Sequence, residues 1–169
     1  ESTSVDGPGL RTTVYCAGGG HHCKGCHNPQ SWDINDGTMV QVEDVANRLL
    51  ATDEDITFSG GDPMFQIEAF AELASIIKAK SNKNIWCYTG YKIEQLLKKP
   101  KALPLLQNID VLVDGQFELA LRDENLLFRG SSNQRLIDVK KTFEKGEIVI
   151  YEPMNLLSPL LIKYKRVNN

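Results

Sequence analysis

The chain has 169 residues, of which 41% are apolar and 24% charged, with a net charge of −3. That suits one soluble domain with a core of its own, and it supplies no general basic field for nucleic acid. No apolar run reaches the roughly 18 residues of a membrane span, and the polar opening Glu1-Ser2-Thr3-Ser4 predicts no signal peptide, so neither a nucleic-acid nor a membrane role is expected.

In chain order, Gly7-Pro8-Gly9 reads as a turn. Thr12 to Cys16, rich in β-branched and aromatic residues, reads as a strand. It runs into the glycine triplet Gly18-Gly19-Gly20, whose backbone can approach a ligand closely. Val42 to Ala51 carries apolar residues at helical spacing. Ile56-Thr57-Phe58 is a short strand, and Phe65 to Lys80 a helix with Phe65, Ile67, Phe70, Leu73, Ala74 and Ile77 on one face. Asn84 to Thr89 is a strand, Ile93 to Leu97 starts a helix, and Ile109 to Val113 is a buried strand. Gly115 to Gln134 is a long polar connection of the kind that is often functional. Ile137-Asp138-Val139 and Glu147 to Tyr151 read as late strands. Strands alternating with helices predict an α/β fold with a mostly parallel sheet. Residues 1–153 are read as one domain and 154–169 as a tail that the pattern does not place. Because the chain opens without Met, a trimmed start is expected.

Chemistry concentrates between Gly18 and Trp32. All three histidines (His21, His22, His27) and two of the four cysteines lie there. Cys23-x2-Cys26 by itself is open among a zinc half-site, a redox dithiol, an iron–sulfur ligand pair and two structural cysteines. Its glycine and histidine surroundings favour metal or redox chemistry in a reducing compartment over disulfides. Ser59-Gly60-Gly61-Asp62-Pro63 follows a strand and precedes a helix, where ligands sit in parallel sheets. The plainer reading is a strand-to-helix turn capped by Asp62, and the motif alone favours that. Trp86 and Tyr88 read as core. Residues 127–135 form a candidate recognition loop.

Together, Val5 to Arg11, Cys23 to Pro29, Ser59 to Pro63, Trp86 to Tyr91, Val113-Asp114-Gly115 and Phe128 to Gln134 resemble the radical S-adenosylmethionine (radical SAM) activating components of anaerobic ribonucleoside-triphosphate reductases. The first three motifs are shared with other glycyl-radical activases, and Arg129-Gly130-Ser131-Ser132-Asn133-Gln134 singles out this branch. The resemblance implies a partial α/β barrel with a [4Fe–4S] cluster held by three thiolates. The open iron takes the amino and carboxylate groups of S-adenosyl-L-methionine. It also implies an oxidoreductase that reductively cleaves that cofactor to make a glycyl radical on the reductase large subunit, fed by a reduced flavodoxin-type donor in the cytoplasm. By the same resemblance Cys23 and Cys26 are cluster ligands, Gly60 and Gly61 border the methionine amino group, and Asp62 is counted among the cofactor-binding residues. Gly25, Cys26 and His27 meet the nucleotide, with His27 an aromatic wall rather than a metal ligand.

The chain departs from the family in one place. The pattern is Cys-x3-Cys-x2-Cys, and counting back from Cys23 puts the first cysteine at residue 19, where this chain has Gly19. A changed residue, a cluster-poor relative and substitution by Cys16 are the three explanations, the last disfavoured because Cys16 falls in a strand. Loss of one thiolate predicts impaired cluster assembly. Rival readings are a zinc-binding module using Cys23, Cys26 and nearby histidines, a non-catalytic docking relative, and an activase of the pyruvate formate-lyase type. The short length and residues 129–134 argue against the lyase type. Relatives have a strand before the Glu1 position, so an exposed sheet edge is expected.

Overall fold

A computed structural model describes residues 2–21, 23–25 and 28–153. Among these, six strands form one sheet in sequential order: β1 (Ser2–Thr3), β2 (Arg11–Cys16), β3 (Asp55–Gly60), β4 (Ile85–Tyr88), β5 (Val111–Asp114) and β6 (Arg135–Asp138). Strands β2 to β5 are mutually parallel, and β1 and β6 pair antiparallel at the two edges. The expected α/β class with a mostly parallel sheet is therefore present. At the β2 edge Ser2 and Thr3 pair only with Thr12 and Arg11, and Glu54 accepts hydrogen bonds from the Ser2 and Thr12 hydroxyls.

Strand period assigns the two faces. One face carries Cys16, Ile56, Phe58, Ile85, Cys87, Leu112 and Ile137. It packs under α1 (Val42–Leu50), α2 (Ile67–Lys80), α3 (Ile93–Leu96) and α4 (Leu103–Leu106) through Leu49, Leu73, Ile77, Leu96 and Leu105. Each such buried aliphatic contributes about 1.5–3 kcal/mol. The opposite face is polar toward β2, with Arg11, Thr13 and Thr57, and apolar toward β5, where Trp86, Val111, Val113 and Leu136 form a second cluster with Phe128 and Tyr151.

Several local expectations shift. The helix expected from Phe65 begins at Ile67, preceded by a 3-10 turn over Pro63–Gln66 that starts at the Asp62 cap. The tighter turn swings Phe65 out of the buried stripe, leaving it 53% exposed. Its ring packs instead against Gly18, where an added Cβ would lie 2.9 Å from it. Ile109 is buried in the connection before β5 rather than in the strand. Val139 ends no strand: Asp138 accepts from the Lys141 N–H and opens α5 (Val139–Lys145), which closes on Gly146 in the left-handed conformation. Glu147 to Tyr151 makes only an isolated bridge, Ile150 to Ile137, flanked by bonds from Asp138 N to Val149 O and Tyr151 N to Leu136 O. The tail 154–169 lies outside the described residues.

Candidate cofactor cleft

The C-terminal ends of β2 to β5 open into a cleft of about 160 Å³. Three walls form it. The cysteine loop contributes Gly19, His21 and Cys23; the β3 and β4 ends contribute Gly60, Gly61, Tyr88 and Gly90; and the connection after β5 contributes Gly115, Phe117, Gly130 and Gln134. Motifs more than a hundred residues apart in the chain thus meet at one place, where parallel sheets bind ligands.

The stem of the cysteine loop is fixed by backbone bonds. Gly18 N donates to Ser31 O at 2.8 Å and Gly19 N to Trp32 O at 3.1 Å. Gly61 N donates to Cys16 O and Asp62 N to Gly18 O, each at 2.8 Å. The paired glycines therefore serve a backbone crossing as well as bordering the cleft. A Cβ on Gly60 (φ +109°) would collide with the Cys16 backbone, and one on Gly61 would stand 2.6 Å from Ser31 O.

Asp62 is 2% exposed and does not itself line the cleft. One carboxylate oxygen accepts from Met64 N at 2.8 Å, the capping role expected of it. The other accepts from Thr89 Oγ1 at 2.9 Å, from Gly90 N at 3.0 Å and from His21 Nε2 at 3.0 Å. The remaining His21 nitrogen, Nδ1, receives Gln116 Nε2 at 2.7 Å. Both ring nitrogens are thereby engaged. The last wall is stapled by Gln134, whose Oε1 accepts from Gly130 N at 2.9 Å and whose Nε2 donates to Gly115 O at 3.0 Å. At the loop tip Gly25 (φ +78°) packs on Phe117 and Leu119. Cys26 and His27, expected as ligand and nucleotide contact, lie outside the described residues, as does His22.

The three described cysteines separate chemically. Cys23 lines the cleft. Cys16 belongs to the helix-covered core, where burial pushes its thiol up to about 12, and Cys87, buried beneath the same helices, is raised well above the ordinary range. Tyr88, expected as core, has a mixed role: it lines the cleft, while its hydroxyl donates to Phe128 O at 2.8 Å. Trp86 is core, as expected.

The motif around Arg11 shows what sequence reading missed. Arg11 is fully buried and donates to Thr57 Oγ1 at 2.8 Å, Ile56 O at 2.6 Å and Asn84 O at 3.1 Å, with its guanidinium 5.4 Å from the Trp86 ring centre. Gly7 lies directly under it, since an added Cβ there would be 2.7 Å from Arg11 Cδ. The motif thus locks the sheet instead of lining the cleft. His21, Gln116 and Gln134 were equally unforeseen as a set, and no spacing signal announces them.

Residues 5–137 match the family model for a 4Fe–4S single cluster domain. The anaerobic ribonucleoside-triphosphate reductase-activating protein of Haemophilus influenzae is 37% identical over 139 residues, covering 77% of this chain and 88% of the relative. The proteins of that name from Enterobacteria phage T4 and Escherichia coli K12 are 38% and 37% identical, covering 86% and 89% of their own lengths and 78% and 77% of this chain. The chain belongs to the anaerobic ribonucleoside-triphosphate reductase-activating family.

The described residues alone do not assemble a three-thiolate set. Gly19 offers no side chain, Cys16 is turned into the core, and among the described residues no three His, Cys, Asp or Glu side chains are grouped to hold a metal. A Cβ at Gly19 would meet Gly61 C at 3.0 Å and Gly61 Cα at 3.2 Å, so a cysteine there needs a shift of only a few tenths of an ångström.

Proposed function

We propose that this protein is organised as a radical SAM activase for the large subunit of an anaerobic ribonucleoside-triphosphate reductase, with its iron–sulfur site left one thiolate short by Gly19. Reductive cleavage of S-adenosyl-L-methionine and formation of a glycyl radical on the reductase is the chemistry that a [4Fe–4S] cluster would supply to such a scaffold. In this reading the sheet is a partial (β/α) barrel of the radical SAM type, and Cys23 and Cys26 are the remaining cluster thiolates. Gly60 and Gly61 border the methionine amino group, with Asp62 acting from behind through His21, Thr89 and Gly90. Gly25, Cys26 and His27 face the nucleotide. The flavodoxin-type donor and the cytoplasm rest on the resemblance. No helix among the described residues is long and apolar enough to cross a membrane.

One observation carries the reading: the cysteine loop, Gly60-Gly61 and the segment from Gly115 to Gln134 converge on a single cleft at the carboxyl ends of parallel strands. Gly19 also favours a second reading, a docking relative that engages the reductase without activating it. Anaerobic reconstitution of the chain and its Gly19→Cys variant, with iron and sulfide counted per chain and the reductase radical followed by EPR, separates the two. Uptake of about four irons and a radical signal by the variant alone supports the activase reading. If neither chain loads, the docking reading replaces it. Full loading of both overturns the assignment of residue 19 as the missing ligand.

A further inference from the structure

We propose that His21 is the positioning residue that latches the cysteine loop onto the end of the sheet. Its ring reaches three separate pieces of the fold. Nε2 donates to the buried Asp62 carboxylate after β3, Nδ1 accepts from Gln116 after β5, and the ring meets Tyr91 after β4 edge-on, with centres 4.7 Å apart. The ring is 18% exposed and occupies a notch that exists because residue 90 is glycine: a Cβ there would lie 2.6 Å from His21 Nε2 and 2.8 Å from Cγ. No positive φ demands glycine at residue 90, so the space taken by His21 is the reason for it.

The Asp62 carboxylate to which His21 is tied is itself fixed by Met64 N, Thr89 Oγ1 and Gly90 N. Asp62 N also holds Gly18 O at the loop stem. Asp62 therefore references the loop twice, at its stem through the backbone N–H and at its middle, two residues before Cys23, through the carboxylate. A histidine at that point sets where the thiol-bearing turn stands over the strand ends. The latch needs no cofactor, so its test is independent of the activase reading, on which only its consequence for cluster binding rests.

Amide hydrogen exchange is measured on the full chain, on His21→Ala, Gly90→Ala and their combination, and on His21→Gln, which keeps a donor within reach of Asp62. The expected result is roughly tenfold faster exchange at Gly18 to Gly20 in His21→Ala, with the β4 and β5 amides unchanged. Gly90→Ala should reproduce it by expelling the ring, and the double variant should exchange no faster than either single one. His21→Gln should recover most of the protection. Unchanged loop exchange in His21→Ala overturns the latch. So does faster exchange spread across the whole sheet, which would make His21 a general stabiliser, and so do additive effects of the two substitutions.

Discussion

Gly60 and Gly61 stand where two stretches of backbone cross, and this decides what they tolerate. The motif by itself reads as a capped strand-to-helix turn, and only the family resemblance makes the pair border a ligand. The crossing makes a further demand, because the space for a Cβ at Gly60 is taken by the Cys16 backbone. Gly60→Ala should therefore cost about 2–4 kcal/mol of stability in denaturant titration, before any effect on ligand binding. Residue 19 behaves differently: Gly19→Cys should fold with an unfolding midpoint within about 1 kcal/mol of the parent, since only a slight give at Gly61 is needed. The cysteines offer a third check. Alkylation of the native protein followed by peptide mapping should modify Cys23 at neutral pH and spare Cys16 and Cys87, whose burial holds them as thiols. Rapid modification of Cys16 would mean that it can leave the core and would revive it as a third ligand.

Elements are joined by a charge cluster that the sequence did not announce. Arg135 on β6 makes paired bonds to Glu94 on α3, at 2.9 and 2.7 Å, and to Asp114 at the end of β5, at 2.9 and 2.5 Å. Asp114 also accepts from Ile93 N at 2.8 Å, pinning the start of α3. Hydrogen bonds from Arg135 hold the Glu94 carboxyl at about 2. A depressed carboxylate stabilises the fold above its unfolded value, about 4.3, and loses that contribution as pH falls toward 2. Stability measured by denaturant should decline across that window, and Glu94→Gln should flatten the decline. Because Glu94 is largely solvated, the slope should also shrink with added salt. The same scale explains the displaced boundaries. Asp62 caps the 3-10 turn that precedes α2, which starts two residues after the apolar period places it, and Asp138 caps α5, where the sequence suggests a strand instead.

Across the whole molecule, Arg11 ties the sheet together from its uncovered face. It bonds atoms of β3 and the approach to β4 and stacks near Trp86, which in turn meets Phe128 and Tyr151 edge-on at 5.4 and 5.3 Å. Arg11→Lys keeps the charge but loses the fork. It should cost about 2–4 kcal/mol, read as a lowered denaturant midpoint with the slope unchanged. The alternation of strands and helices, the burial of Trp86 and the α2 stripe were legible in the sequence, because periodicity reports which side of a local element is apolar. The glycine at residue 19, where the family pattern has a cysteine, was legible too, since counting against a spacing pattern needs no coordinates. The inward turn of Cys16, the engagement of both His21 nitrogens, the crossing that requires Gly60 and the clasp of Arg135 on Glu94 and Asp114 were decided only by tertiary structure. The last three join residues more than twenty positions apart, and the first depends on which face of the sheet the helices cover; contacts between distant segments leave no periodic trace in the chain.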